Sequence, residues 1–360
     1  MKYDNMIADF LINNHVISNK FPPYIIAEIS ANHNGSIDRA KQTILAAKKS
    51  GVDAVKIQTY TPDTMTIDVD NEDFLIKSGL WKDRTLYDLY GEAHTPFEWH
   101  EQLFEFASKN NITLFSSPFD ETAVDLLDGL NVAAFKVASF EIVDLPLIKY
   151  IAQKGKPILI STGMASQDEI ANAIETSYSA GNKDIALLHC ISAYPTDIED
   201  ANLLSIQYLR EKFAVQVGLS DHTLGNQASV IATSLGATII EKHFTLDRND
   251  GGVDSEFSLE PDEMSELVKK TKEAFKALGD GEFKSSSVEA ANKIFRRSIY
   301  FVKNIEEGEI ITPEHIKRIR PGYGLEPRYY DEVIGKKCIK RALKGDRLTF
   351  DHFNRFDKKE

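Results

Sequence analysis

The sequence predicts an α/β fold, a (β/α)8 barrel of the TIM class followed by a small second domain. Three observations carry that prediction. Eight short apolar, β-branched runs recur between residues 24 and 243. Amphipathic helix-like segments separate them, which is the pattern of a parallel sheet. Neither a G-x-G-x-x-G turn nor a P-loop occurs anywhere, which weakens the alternative of an open doubly wound sheet. Eight strand-helix units suit a closed barrel of about 250 residues, and a chain of 360 residues leaves room for a module beyond it.

In chain order the runs are YIIAEIS (24–30), AVKIQTY (54–60), ITLFSSP (112–118), AAFKVAS (133–139), PILISTG (157–163), IALLHC (185–190), AVQVGLS (214–220) and ATIIEKH (237–243). Short apolar runs bounded by turn residues read as buried strands, and SIDRAKQTILAAKKSG between the first two reads as an amphipathic helix. Strand starts lie 21 to 30 residues apart, except for 58 between the second and third. An insertion sits there. It contains GLWKDRTLYDLYGEAHTPFEWH, and a long loop of this kind is either functional or a packed surface flap.

The pattern changes after TKEAFKALGDGEFKSSSVEAANK, where Gly279, Gly281 and the serines at 285 to 287 mark a linker. The resulting division is a barrel domain over 1–283 with an N-terminal extension over 1–20, a linker over 284–293 and a second domain over 294–360. Segments SIYFVKNIEEGEIITPEHIKRIRPGYGL and IGKKCIKRALKGDRLTFDHF in that second domain read as short strands and turns, with one short helix starting near Thr312. Within RIRPGYGLEPR, Arg318, Arg320 and Arg328 surround a Pro-Gly-Tyr-Gly turn, as either an anion contact or a solvated loop.

Hydrophobic residues at 42% and charged ones at 27% support a sizeable core. The net charge of −13 argues against a nucleic-acid or anionic-membrane surface, so an anionic substrate must meet local lysines and arginines. The opening MKYDNMIADFLINNHVISNK lacks the basic start and apolar run of a signal peptide, and no stretch is long enough for a membrane span. A soluble cytoplasmic protein is expected. Cys190 and Cys338 read as two unpaired thiols.

Barrel chemistry sits at the C-terminal ends of the strands, so the positions that carry it can be enumerated. They are Glu28 and Asn32; Lys56 and Gln58; Ser116 and Ser117; Lys136, Ser139 and Glu141; Ser161 and Thr162; His189, Ser192 and Tyr194; Ser220, Asp221 and His222; Glu241, Lys242 and His243. Lys56, Lys136 and Lys242 fall inside apolar strands, where an unpaired ammonium is costly. They imply anionic partners inside the barrel, or internal Lys-Glu pairs for one or two of the three. His222 and His243 end the seventh and eighth strands, and neighbouring strands lie roughly 4.8 Å apart, so the two imidazoles can reach one metal ion. The remaining positions on such an ion suit water and a substrate oxygen, as a Lewis acid requires. A lone rim histidine is ordinarily a hydrogen-bonded structural residue, and manganese, zinc and iron all suit this donor set.

The ordered motifs AEISANHNG, VKIQTY, KVASFEI, LISTGM, LLHCISAYPT, GLSDHT and EKHFTLD resemble the sialic acid synthase family across nearly the whole chain. The last 65 or so residues are similar to that family's C-terminal antifreeze-like (SAF, β-clip) domain. The resemblance implies condensation of phosphoenolpyruvate with an amino sugar to a nine-carbon 2-keto acid, with release of phosphate. It also implies a divalent metal, manganese foremost, with magnesium or cobalt as alternatives. SGLWKDRTLYDLYGEAHTP and GGVDSEFSLEP most resemble the pseudaminic acid branch, whose sugar is 2,4-diacetamido-2,4,6-trideoxy-L-altrose. The N-acetylneuraminate and legionaminic acid branches are the near alternatives, and Ser192 stands where the neuraminate branch has Asn.

Carried over position by position, the resemblance implies His222 and His243 on the metal, and Lys56, Lys136, Ser117, Ser139 and Ser220 around phosphoenolpyruvate. It implies Glu28, Gln58, Phe119, Tyr194 and Asp254 near the sugar and Glu141 near the reacting carbons, with Glu28, Lys56, Lys136 and Glu141 as the catalytic set. Arg320 matches an arginine offered to the sugar's acetamido group across a domain-swapped homodimer. Trp81, Tyr87 and Tyr90 of the insertion are expected to form an apolar pocket for the deoxy sugar. Two other classes compete: a metal-dependent aldolase and a non-catalytic ice- or carbohydrate-binding protein. Passive binding requires neither buried lysines nor paired rim histidines, and an aldolase would release no phosphate.

Overall fold

The structure, a computed structural model, describes residues 7–284 and 286–354. Residues 1–6, Ser285 and 355–360, assigned above to the extension, the linker and the end of the second domain, lie outside the described residues. The chain divides into two compact units, Met1–Asp280 and Gly281–Glu360.

The first unit opens with a hairpin, β1 (Phe10–Ile12) and β2 (His15–Ile17). Eight parallel strands then close a barrel in the order β10-β3-β4-β5-β6-β7-β8-β9. They are β3 (Tyr24–Glu28), β4 (Ala54–Thr59), β5 (Thr113–Pro118), β6 (Phe135–Val137), β7 (Ile158–Ser161), β8 (Ile185–Cys190), β9 (Gln216–Asp221) and β10 (Ile239–His243). All eight apolar runs of the sequence are therefore barrel strands. Each is buried on both faces, which is why it reads as a continuous apolar run.

The outer layer comprises α1 (Ile37–Lys49), α4 (Phe97–Lys109), α5 (Glu121–Gly129), α6 (Leu145–Ala152), α7 (Gln167–Ser179), α8 (Ser205–Phe213), α9 (Gln227–Ser234) and α10 (Pro261–Leu278). Two shorter helices, α2 (Pro62–Met65) and α3 (Leu86–Ala93), lie inside the insertion between β4 and β5. Helix α1 shows the local logic. Ser36 caps it by accepting from the Arg39 amide, and Ala40, Thr43, Ile44 and Ala47 recur at helical spacing to bury one face. The hairpin, which the sequence left without structure, buries Phe10, Ile12 and Ile17 in the barrel core. Its approach accepts a hydrogen bond from Gln216, the first residue of β9, so it closes the N-terminal end. Among the described residues no helix is long and apolar enough to cross a membrane.

Strand pairing decides which side chains point inward. Registers Glu28↔Lys56, Gln58↔Ser117 and Cys190↔Ser220 run round the barrel, and Ser220↔Glu241 and His243↔Glu28 close it. One alternating set therefore comprises Glu28, Lys56, Gln58, Ser117, Lys136, Ser161, Ser220, Glu241 and His243. The other set, including Ser116, His189, Asp221 and Lys242, faces the helices.

The second unit has its own core around Ile299, Phe301, Ile311, Ile316 and Leu348. Its strands β11 (Ser298–Phe301) and β12 (Ile316–Ile319) pair antiparallel. The helix expected near Thr312 is only a turn, closed by the His315 amide on the Thr312 carbonyl, because IKRI is drawn into pairing with SIYF. The helix of this unit is α11 (Tyr330–Val333), and 3-10 turns over Ser287–Phe295 occupy the stretch read as linker.

Candidate active site

The floor at the C-terminal end of the barrel has two sectors. Across β10, β3 and β4, the Lys56 ammonium lies 3.2 Å from Glu28 and 2.8 Å from Glu241. Both approaches are to Oε2 atoms. The other oxygens are engaged, as Gln58 donates to Glu28 Oε1 at 3.2 Å and Ser220 donates to Glu241 Oε1 at 2.9 Å. Burial is the largest influence on both carboxyls and favours protonation. At Glu28 it prevails, helped by the charge of Glu241, and the pKa is raised. At Glu241 the charges of Lys56 and Lys136 outweigh it, and the pKa is lowered. Glu28 is thus the member able to take up a proton when an anion arrives.

The second sector, across β5, β6 and β7, is cationic. Lys136 is fully buried, donates to the Val137 carbonyl at 2.9 Å and to Ser161 Oγ at 2.6 Å, and among the described residues has no carboxylate within ion-pair distance. Burial pulls its pKa down to about 8. A buried ammonium of this kind is an anion site awaiting a counter-charge. Ser117 Oγ is buried without a partner among the described residues, and Ser139 Oγ accepts from the Gly163 amide at 3.2 Å. A Cβ at Gly163 would overlap the hydroxyls of Ser139 and Ser192, so only glycine lets that backbone approach so closely.

His222 and His243 meet above the carboxylate sector, ring centroids 5.4 Å apart. His222 Nδ1 lies 2.9 Å from the Ile191 carbonyl, which only accepts, so Nδ1 carries a proton and in the neutral ring Nε2 is left with its lone pair. That is the outer bond a metal-bound imidazole ordinarily makes. His243 Nδ1 is buried and among the described residues unpartnered, and burial with the neighbouring His222 holds this ring well below its ordinary pKa, hence neutral. The pair fits a divalent ion. Among the described residues no third His, Cys, Asp or Glu joins them as a ligand group, so the remaining positions fall to water and substrate oxygen. Tyr194 packs on His222 at 4.3 Å and Phe257 on His243 at 4.8 Å, which fixes both rings.

Over this floor opens a cavity of about 390 Å³. One wall is polar, with Ser30, Gln58, Glu141, Tyr194, His243 and Asp254. The insertion contributes Met65, Ile76, Trp81, Leu86, Leu89 and Ala93, and with them Tyr90, whose ring carries a hydroxyl. Phe119 closes one end against Tyr60 at 5.2 Å. Burial pushes the Glu141 carboxyl up to about 7, against the pull of Lys136, and its Oε2 is buried without a partner among the described residues. Asp254 is likewise raised by burial, opposed by hydrogen bonds from Ser30 and the Ala31 amide. A larger groove of about 1100 Å³, at the N-terminal end around Asn13, His15 and Asp53, gathers no comparable set of groups.

The expected residues thus fall into groups. Gln58, Phe119, Glu141, Tyr194, His243 and Asp254 line the cavity, and Glu28, Lys56, Ser117, Lys136, Ser139, Ser220 and His222 form its floor or margin. Three expectations change. Lys242 faces the helices, 2.9 Å from Asp221, with both side chains fully buried, and it also donates to the Thr223 carbonyl. Lys56 is held by two carboxylates, leaving Lys136 without one. Tyr87 points away from the cavity and donates to Asp63 at 3.2 Å, while Trp81 and Tyr90 do line it. His189, on the outward parity, bonds to the Ala201 carbonyl. Glu241 received no role from the sequence, although its place opposite Ser220 could have been inferred from alternation. Tyr60 and Phe257 gave no signal, because packing alone brings them in. Arg320 lies exposed in the second unit, just after β12.

Residues 43–283 match the NeuB family and residues 296–354 match the SAF domain. The chain is 48% identical over 330 residues to the pseudaminic acid synthase of Campylobacter jejuni subsp. jejuni serotype O:23/36 (strain 81-176), covering 92% of this chain and 96% of that one. It is 44% identical over 335 residues to the pseudaminic acid synthase of Helicobacter pylori (strain ATCC 700392 / 26695), covering 93% and 98%. A crystal structure of N-acetylneuraminic acid (sialic acid) synthetase from Leptospira borgpetersenii serovar Hardjo-bovis, in complex with citrate, superposes with a TM-score of 0.71. It is 32% identical and covers 80% of this chain and 95% of that one.

Proposed function

The chain belongs to the NeuB family, and from that premise we propose that it condenses phosphoenolpyruvate with 2,4-diacetamido-2,4,6-trideoxy-β-L-altropyranose to a nine-carbon 2-keto sugar acid, releasing phosphate. The observation that carries this reading is Lys136, a buried ammonium without a carboxylate, set beneath a cavity with one polar and one apolar wall. A passive binder has no use for such a group, and an aldolase would release no phosphate.

The phosphate and carboxylate of phosphoenolpyruvate are held by Lys136 with the hydroxyls of Ser117 and Ser139. Lys56 keeps a third N–H for the ligand while Glu28 and Glu241 fix its position. Glu28 takes up a proton as the anion enters, which limits repulsion in a floor of two carboxylates and two ammonium groups. His222 and His243 would hold a divalent ion, manganese by preference, which supplies Lewis-acid polarisation of the sugar aldehyde. Gln58, Asp254 and Tyr194 orient the open-chain sugar so that its aldehyde carbon faces C3 of phosphoenolpyruvate. The new carbon-carbon bond forms from C3 as the aldehyde π pair moves onto oxygen, which takes the proton held by Glu28 and becomes a hydroxyl. C2 becomes cationic and accepts water, one of whose protons passes to Glu141, poised with a pKa of about 7. The C2–O bond to phosphate then breaks as the C2 hydroxyl closes to a carbonyl, its proton leaving with the phosphate, and the 2-keto acid remains.

The site is completed by a second copy, whose Arg320 meets an acetamido group in a domain-swapped homodimer. Exposed Phe140, Val143, Met164 and Leu224, on the loops after β6, β7 and β9, suit cover by another chain. The reaction belongs in the cytoplasm, where phosphoenolpyruvate is supplied. The test is phosphate release from phosphoenolpyruvate with manganese and each of three sugars: the altrose sugar, the legionaminic precursor and N-acetylmannosamine. Release with the altrose sugar alone is expected. Release with another sugar alone would move the chain to the legionaminic or N-acetylneuraminate branch, and release with none would overturn the reaction.

A further inference from the structure

The two residues that precede the histidines are themselves joined. Register sets Lys242 of β10 opposite Asp221 of β9, and the next residues along the chain are His243 and His222. The Lys242 ammonium lies 2.9 Å from Asp221 Oδ2, and both side chains are fully buried on the face turned to the helices. Among the described residues the other ion pairs between barrel strands are those of Lys56, inside the barrel. Asp221 Oδ1 accepts from the Thr223 amide at 2.9 Å and from the Thr223 hydroxyl at 2.8 Å, which closes a turn with His222 at its centre. Lys242 donates as well to the Thr223 carbonyl, and Ser229 of α9 donates to Asp221 Oδ2 at 2.6 Å. One ammonium therefore binds both ends of the turn that carries His222, from the position next to His243.

Stability alone gives little reason for such a pair, since apolar side chains of similar volume often replace a buried ion pair without loss. Its place gives a better one. A metal held by two protein donors depends on how well their spacing is fixed before the ion arrives. The backbone ladder between β9 and β10 ends at Lys242↔Asp221, and the His222 carbonyl accepts from Thr196, on the side of β8. Beyond the ladder, the bonds of Lys242 carry the tie from β10 to the turn. We propose that Asp221 and Lys242 are positioning residues for the metal, their ion pair setting the separation of His222 and His243 and with it the affinity for a divalent ion. The inference rests on the metal reading above and adds the groups that prepare the site. Both side chains face away from the ion and the substrate.

The experiment measures manganese binding by calorimetry on the metal-free full-length protein, with urea denaturation of the same samples. Two double variants remove both charges together, so that neither charge is stranded. Asp221→Asn/Lys242→Met keeps an acceptor for Thr223 and loses the tie, whereas Asp221→Leu/Lys242→Met loses both. The dissociation constant for manganese should rise about 10-fold in the first and about 10- to 100-fold in the second. The urea midpoint of the first should stay close to that of the wild type. With manganese saturating, the KM for phosphoenolpyruvate should keep its wild-type value, because the anion sector is untouched. A KM that rises in step with the dissociation constant would mark the pair as general scaffold and overturn the inference. Wild-type affinity in both doubles, with binding lost in His222→Ala, would also overturn it and leave the metal reading standing. Binding retained in His222→Ala and in His243→Ala would overturn both.

Discussion

Replacing Lys136 with methionine keeps the aliphatic stem and removes the charge, and the structure gives its two consequences opposite signs. Burial lowers the ammonium's pKa from 10.5 to about 8. At about 1.4 kcal/mol per tenfold, the charge costs the folded state about 3 kcal/mol. The bonds to Val137 and Ser161 are lost with it, returning about 1 kcal/mol, so Lys136→Met should stabilise the protein by about 2 kcal/mol at pH 7. The sign of the pH dependence follows. The folded pKa lies below the unfolded one, so the penalty is complete below pH 8 and fades as the pH rises toward 10.5. The gap between variant and wild type should therefore narrow between pH 7 and pH 10 in urea denaturation. Activity should move the other way, because a charge-assisted bond to an anionic ligand is worth about 3 kcal/mol. The value of kcat/KM for phosphoenolpyruvate should fall roughly 100-fold. A variant that is less stable than wild type, yet keeps its KM for phosphoenolpyruvate, would identify Lys136 as a structural residue and refute the reasoning.

Lys242→Met should do the reverse, since it strands the fully buried carboxylate of Asp221. A loss of about 3–5 kcal/mol in urea denaturation is expected, with KM values of the folded fraction unchanged, and an unaltered stability would contradict the assignment. For Glu141, whose pKa of about 7 lies above the ordinary 4.5, kcat/KM should rise with pH through about 7 as the carboxylate forms. Glu141→Gln should lose that limb and about 10²–10⁴-fold of rate. Since a raised acid penalises folding increasingly from pH 4.5 to 7, the same variant should gain stability at pH 8 and none at pH 4, which thermal melts at the two values will test. His222→Ala and His243→Ala should each weaken manganese binding at least about 10-fold by calorimetry. Chelator should silence the wild type until manganese is restored, and retained binding in both variants would remove the pair from the metal site.

The sequence displayed the barrel clearly because parallel strands covered on both faces are continuous apolar runs separated by helical stretches. For the same reason it concealed which side chains face inward. Lys136 and Lys242 occupy equivalent-looking places in KVAS and EKHF, yet register turns one into the barrel and the other under α9, where Asp221 meets it. The histidine pair was legible because both lie at strand ends of the inward parity, two residues beyond Ser220 and Glu241. The cavity's apolar wall was legible only in part. Trp81 and Tyr90 announce an aromatic insertion, but the phase of α3 sends Tyr87 toward Asp63 and brings Leu86 and Leu89 into contact instead. No spacing rule applies to a segment with two short helices and an intervening bridge. The small second unit was misread near Thr312 because a Pro-Glu-His step resembles a helix start, while pairing with β11 draws the next four residues into a strand.

Strands β4 and β5 stay in register over six residue pairs, from Ala54↔Thr113 to Thr59↔Pro118, although residues 60–112 loop out between them. The ends of the excursion are therefore clamped by the barrel, and α4 within it returns Leu103 and Ala107 to the barrel core and His100 to Thr59. Such an arrangement lets the length of the segment vary while the strand register on either side of it is kept.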